Sequence, residues 1–314
     1  MGQIAAYLQL HRTGELKARV EKARSILEEC CLCPRHCGVN RLAGESGKCH
    51  VTNQVVVSSY NPHFGEEAPL VGSHGSGTIF FTYCNLHCVF CQNYTISQSG
   101  DGRVVDSEKL ATIMLSLQER GCHNINLVSP THVVPHILEA LKLAVSMGLY
   151  LPLVYNSGGY DSLETLELLD GIIDIYMPDM KYSDEKTAEQ LSGIKDYPTV
   201  NKAAVKEMHR QVGDLQIDEQ GIAQRGLLVR HLVLPHRLAG TEEVVRFLAQ
   251  EVSTNTYLNI MAQYRPCYKA FDIPLLSRAL NKQEFYEAID LAHQQGLHRL
   301  DKYDFPFPAR LIIR

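Results

Sequence analysis

The stretch Thr78-Ile79-Phe80-Phe81-Thr82-Tyr83-Cys84-Asn85-Leu86-His87-Cys88-Val89-Phe90-Cys91 joins an apolar, β-prone run to three cysteines spaced C-x3-C-x2-C. A run apolar at successive positions reads as a strand buried on both faces, the pattern of a parallel sheet covered by helices. The three thiols then fall on the loop at that strand's C-terminal end, the edge where parallel α/β sheets gather their active sites. A structural zinc site takes four ligands, and no fourth cysteine lies within thirty residues of this loop. An iron-sulfur cluster that leaves one iron open to a substrate or cofactor needs only three thiolates. The competing reading is a zinc knuckle that borrows His87 or a distant residue.

Downstream of this loop, short apolar runs alternate with helical periodicity. The pattern predicts strands at 78–83, 124–129, 151–155, 171–176, 228–234 and 257–261. Between and after them it predicts helices at about 107–119, 133–147, 162–169, 184–191, 241–250 and 282–295. Six β-then-α units in series predict an α/β fold, a partial (β/α)6 TIM-type barrel. Residues 197–211 read as an extra helix and 212–225 as a polar loop between strands four and five, placed to border the open side of the barrel.

Upstream, Leu16, Val20, Ala23 and Leu27 recur at helical spacing and lead into Cys30, Cys33, Cys37 and Cys49, with Cys31 beside them. This divides the chain into an N-terminal helix and cysteine knuckle over residues 1–70 and a larger unit over 71–314. Four thiols in twenty residues complete a ligand set, and both zinc and an iron-sulfur cluster suit the spacing. Residues 54–59 are β-rich. The glycine-rich stretch 72–77 precedes a strand and lacks a Gly-Lys-Ser/Thr ending, so it reads as a turn and not as a phosphate cradle.

The 314 residues are 45% hydrophobic and 21% charged, the composition of an ordinary globular chain. A net charge of −5 removes the attraction that nonspecific nucleic-acid binding requires. No apolar run is long enough to span a bilayer and no leader is visible at the N-terminus, so a cytoplasmic protein without a membrane partner is expected. Of ten cysteines, eight fall between Cys30 and Cys91. With no export signal, that clustering points to metal ligation in a reducing compartment, not to disulfides.

The triplet Cys84, Cys88 and Cys91, with the aromatic Phe90 before its last member, resembles the signature of the radical S-adenosylmethionine (SAM) enzymes. The resemblance extends over most of the chain: Cys30 to Arg41, His63-Phe64-Gly65-Glu66-Glu67, Gly75 to Phe81, Cys91-Gln92-Asn93, Pro178-Asp179-Met180-Lys181, Arg230 to Pro235 and Met261 to Pro266. Together these motifs resemble the pyruvate formate-lyase activating enzyme-like branch. The resemblance implies an oxidoreductase in which the three cysteines hold a 4Fe-4S cluster, SAM chelates its fourth iron, and one electron cleaves the sulfonium. The resulting 5′-deoxyadenosyl radical would abstract a substrate hydrogen, with activation of a glycyl-radical protein as one task. A low-potential donor such as flavodoxin or ferredoxin is implied, and a protein or peptide substrate is left open. The alternatives are radical modification of a peptide or small molecule, and a non-catalytic electron carrier.

The same resemblance assigns candidate SAM-binding residues. Asp179 and Lys181 match the Asp-x-Lys after strand four, near the methionyl carboxylate; on physical grounds alone, two charges two apart on an extended segment share a side and form an ordinary ion pair. Asn156 and Ser157 end strand three, placed for the ribose or methionyl group, but Tyr155 stands where activases carry an acidic residue. Strand two of most such enzymes ends in Gly-Gly-Glu, whereas this chain has Ser129-Pro130-Thr131-His132, which leaves Ser129 and Thr131 as uncharged acceptors. Arg230 and His231 match a strand-five position near SAM, and a paired core arginine is the plain alternative. His132 and His136 are four apart, yet Pro135 is expected to interrupt that turn. Cys122 and Cys267 read as inert core thiols, with a catalytic thiol at Cys267, next to Tyr264 and Arg265, as the alternative.

Overall fold

The computed structural model describes residues 5–301. Residues 1–4 and 302–314, the outer ends of the two units expected above, lie outside the described residues. Nine strands form the sheet: β1 (Val55–His63), β2 (Ser76–Phe81), β3 (Arg103–Val105), β4 (Ile125–Val128), β5 (Leu153–Ser157), β6 (Ile175–Pro178), β7 (Gln216–Ile217), β8 (Ala223–Leu232) and β9 (Tyr257–Met261). The six expected strands are β2, β4, β5, β6, β8 and β9, though the fourth begins at Ile175 and not at Gly171, whose φ of 76° belongs to a turn. They run parallel, side by side and in chain order, with Gly77 opposite Ile125, Ile125 opposite Leu153, Val154 opposite Ile175, Ile175 opposite Gly226 and Leu228 opposite Tyr257. The fold is mixed α/β around a central sheet.

Helices cover the outer face because their apolar stripes need that surface. Ile79, Phe81, Ile125 and Leu127 share one core with Leu110, Met114 and Leu117 of the helix Ser107–Glu119 and with Ile137, Leu138 and Leu141 of the helix Val134–Ser146. Asp106, Ser162, Asp184 and Asn281 each accept a backbone N–H at a helix start, which fixes those boundaries close to where periodicity put them. Pro135 does not interrupt a turn. It lies in the first turn of Val134–Ser146, where an absent N–H removes no helical bond.

The N-terminal segment joins this core. Tyr7, Leu16, Val20 and Ala23 belong to the same buried cluster as the sheet, and β1 pairs antiparallel with β2 and β3. Residues 212–225 are not a simple loop: Gln216–Ile217 and the start of β8 form an antiparallel hairpin. Its Leu215 packs in a second cluster with Leu70, Val154, Ile175, Leu228 and Tyr257. The hairpin leads into the beginning of β8, so it closes the N-terminal end of the strands, opposite the edge that carries Cys84. The expectation that it borders an open catalytic side is therefore corrected. No helix among the described residues is long and apolar enough to cross a membrane.

Candidate functional site

Where β2, β4, β5, β6 and β8 end, their loops surround a cavity of about 170 Å³. Cys84, Cys88 and Cys91 form one part of its lining, and Ser129, Asn156, Ser157, Asp179, Lys181 and Arg230 form another. The backbone turns sharply to make this edge: Tyr83 and Ser129 adopt φ of 70° and 57°, conformations that store strain in non-glycine residues.

Each thiol of the triplet has a polar neighbour. Leu86 N–H donates to Cys84 Sγ at 3.4 Å, Ser192 Oγ donates to Cys88 Sγ at 3.0 Å, and Ser97 Oγ lies 3.1 Å from Cys91 Sγ. Burial, followed by the neighbouring Cys88, pushes the Cys84 thiol up to about 12, and the same two causes raise Cys91. Buried thiols kept close together this way release their protons readily only to a metal centre, whose positive charge reverses the local electrostatics.

Opposite them, charged groups from β8 and the segment after β6 interlock with an amide from β5. Asp179 Oδ2 accepts from Lys181 Nζ at 2.5 Å and Asp179 Oδ1 from Arg230 Nε at 2.9 Å. Arg230 Nη2 donates to Asn156 Oδ1 at 2.7 Å. Burial alone would raise the Asp179 carboxyl, but Arg230 and Lys181 outweigh it and hold the group below its ordinary value. Burial likewise works against the Lys181 ammonium, and Asp179 and Cys88 overcome it, so Lys181 is held above the ordinary lysine value.

Other candidates take different places. Thr131 Oγ1 donates to Asp161 at 2.6 Å, away from the cavity lining, and Tyr155 and Ser157 hydroxyls donate to the same carboxylate at 3.0 and 2.7 Å. Asp161, which sequence reasoning did not single out, thus anchors the ends of β4 and β5; its three hydroxyl partners reveal it, two from the preceding six residues and Thr131 from thirty residues earlier. Phe90 packs against Tyr182 and Tyr264 and is 5% exposed, a core contact beneath the cysteine loop. His231 is buried between Met180 O and Thr241 Oγ1. His132 bonds Thr82 O, apart from His136.

Cys30, Cys33, Cys37 and Cys49 line a separate cavity of about 10 Å³ together with Arg35, Arg41 and His132. Arg41 is fully buried; it donates to Thr52 O and His132 O, and its Nη1 lies 4.0 Å from Cys30 Sγ. Among the described residues no three His, Cys, Asp or Glu side chains converge tightly enough for a single ion. A four-iron cube bonds each thiolate to a different iron, so its ligands need not converge on one point.

The family model described as the radical SAM superfamily matches residues 78–248. An uncharacterized protein of Methanocaldococcus jannaschii is 33% identical over 300 residues, 92% of this chain and 82% of that protein. A radical SAM methyltransferase from Sphaerobacter thermophilus is similar in structure at a TM-score of 0.49 and 12% identity, covering 70% of this chain and 64% of that one. Streptococcus suis SuiB bound to S-adenosylmethionine gives a TM-score of 0.47 and 14% identity, with 70% of this chain and 47% of that one covered. This chain spans less than two thirds of either solved structure. The matched span runs from β2, through the cysteine triplet, Asp179 and Arg230, to the helix that follows β8, and this chain belongs to the radical SAM superfamily.

Proposed function

We propose that Cys84, Cys88 and Cys91 hold a 4Fe-4S cluster, that Asn156, Ser157, Asp179, Lys181 and Arg230 hold SAM beside it, and that the chain removes a hydrogen atom from a substrate. Membership of the superfamily implies both cofactors. The observation that carries the assignment is the one cavity in which three thiols face those polar side chains. The donor set fits: three thiolates leave one iron open, while an ammonium, a guanidinium, a carboxylate and an amide complement the two charges of an amino acid. When bound, the cluster supplies one low-potential electron that cleaves SAM to a 5′-deoxyadenosyl radical able to abstract hydrogen.

The chain's own residues prepare that site. Lys181 and Arg230 stay cationic because Asp179 pairs with both. Ser97, Ser192 and the Leu86 N–H hydrogen-bond the sulfurs, a contact that tunes the reduction potential of a cluster. Phe90, Tyr182 and Tyr264 close the floor below the loop against water. The six parallel strands then serve as the partial barrel, with the cysteine-rich residues 1–70 as an extension that holds a second metal, zinc or an auxiliary cluster. The activase-type reading, with a glycyl-radical protein or a peptide as substrate and a flavodoxin or ferredoxin as electron donor in the cytoplasm, is supported by the sequence motifs.

Anaerobic reconstitution with iron and sulfide, followed by dithionite and SAM, tests the proposal. Formation of 5′-deoxyadenosine is expected; a reconstituted, reduced protein that forms none would refute it.

A further inference from the structure

Glu66 and Glu67 lie between β1 and the one-turn helix Ala68–Val71; Glu67 is buried, and the Glu66 side chain is 8% exposed. They belong to the interior of the sheet. Glu67 Oε1 accepts from Asn259 Nδ2 of β9 at 2.8 Å, and Glu66 lies 3.9 Å from Arg230 Nη1. Asn126 of β4 comes near enough to favour the Glu66 carboxylate, yet neither atom of its amide makes a hydrogen bond of acceptable geometry, and Glu67 Oε2 makes none. Both Asn126 and Glu67 are buried, at 0% and 4% exposure.

Charge balance sharpens the point. Three carboxylates, Glu66, Glu67 and Asp179, share the interior with the cations Arg230 and Lys181. Asp179 already uses Lys181 on one oxygen and Arg230 on the other. Arg230 spends a further nitrogen on Asn156. The glutamate pair is left with one long ion pair for two charges, and a buried carboxylate without a partner is expensive. Burial outweighs Arg230 and raises both carboxyls, as expected for a site short of positive charge. Arg230 also lines the cysteine cavity, so the glutamates adjoin the proposed SAM site.

We propose that Glu66, Glu67 and Asn126 form a subsite for a cationic group of the substrate, an ammonium or guanidinium, inside the sheet next to the SAM cavity. The inference rests on the proposed function for the word substrate. The geometry suits the ligand: two carboxylates and an amide oxygen offer several acceptors to a group with three or more N–H donors.

The test uses the full reconstituted chain with n-butylammonium chloride as probe, and sodium chloride at equal ionic strength and n-butanol as controls. Butylammonium is expected to raise the thermal midpoint of the wild-type protein, and the controls are not. Glu67→Gln is expected to lose that rise while melting no lower than wild type without probe, because Gln removes an unmatched charge and keeps an acceptor for Asn259. Glu66→Gln is run alongside and should lose the rise too, so a single variant that fails to fold does not decide the result. Both variants should bind SAM with wild-type affinity by calorimetry. No response to butylammonium would overturn the subsite, as would an equal response to sodium or a response retained in both variants. Weakened SAM binding would reassign the carboxylates to the cofactor. Absence of 5′-deoxyadenosine in the wild-type protein, with the butylammonium response intact, would instead count against the proposed function alone.

Discussion

Cys84, Cys88 and Cys91 border about 170 Å³ shared with Asp179, Lys181 and Arg230, whereas Cys30, Cys33, Cys37 and Cys49 border about 10 Å³ shut in by Leu32, Arg41 and His132. The first group sits where five strands end, with charged side chains delivered from β8 and the segment after β6. The second sits beside a buried arginine, Arg41, that binds the Thr52 and His132 carbonyls. One arrangement admits a small molecule; the other has room for about one water and closes over its own thiols. The two regions touch, since Arg35 Nε donates to Asn85 O at 2.7 Å and a His87 ring nitrogen lies 3.0 Å from Lys48 O. The comparison therefore separates an open cavity lined by charged and polar side chains from a nearly closed one.

The sharpest break between the two would come from removing thiols. Cys84→Ala, Cys88→Ala and Cys91→Ala should each reduce 5′-deoxyadenosine formation to background in the anaerobic assay, while Ala at the exposed Cys31 should leave it unchanged. Activity near wild type in any triplet variant would remove the distinction.

Knuckle variants should act through stability. Cys33→Ser and Cys49→Ser are expected to lower unfolding free energy by an amount on the order of 4 kcal/mol, the scale of losing a structural metal. The triplet variant Cys84/Cys88/Cys91→Ala should still carry zinc or iron by elemental analysis. A folded triplet variant free of metal would show that the knuckle is held by packing and hydrogen bonds alone.

Within the open site, Asp179→Ala leaves Lys181 and Arg230 without their shared partner, which should cost about 3 kcal/mol of stability. SAM affinity, measured by calorimetry, should fall about tenfold, equal to about 1.4 kcal/mol. Asn156→Ala should weaken SAM binding in the same direction. Cluster absorbance should persist in both variants; its loss would make these residues part of the cluster's support.

The smallest effect concerns pH. Burial pulls His132, His136 and His231 down to about 4. Between the unfolded value of about 6.5 and that folded value, only the unfolded chain binds these protons, so stability falls as pH drops from 6.5 towards 4. Asp174, raised by burial to about 6, works in the opposite direction. His231→Gln should flatten the loss by an amount on the order of 1–2 kcal/mol, read as the change in urea midpoint between pH 7 and 4.5. An unchanged slope would show that His231 is charged when folded.

Local pattern determined much of this molecule. Successive apolar positions marked the six parallel strands, because a strand covered on both faces favours apolar side chains at most of its positions. The C-x3-C-x2-C spacing is equally local, and a loop of eight residues brings its three thiols together whatever the surrounding sheet does. The caps that Asp106 and Asn281 supply at helix starts are local in the same way. Tertiary structure decided what depends on distant partners. Nothing local to Glu66 and Glu67 shows that they face the interior; Glu67 is buried, and Asn259, 192 residues further on, meets it there. Thr131 was drawn from the cavity lining to Asp161 by a carboxylate that only Tyr155 and Ser157 make affordable to bury. The hairpin after Val212 fell at the far end of the sheet because a connection returning to a parallel strand must re-enter at its N-terminal edge. Hydrophobic period and motif spacing act within a turn or a loop, whereas the burial of charge is settled only when separate strands close around it.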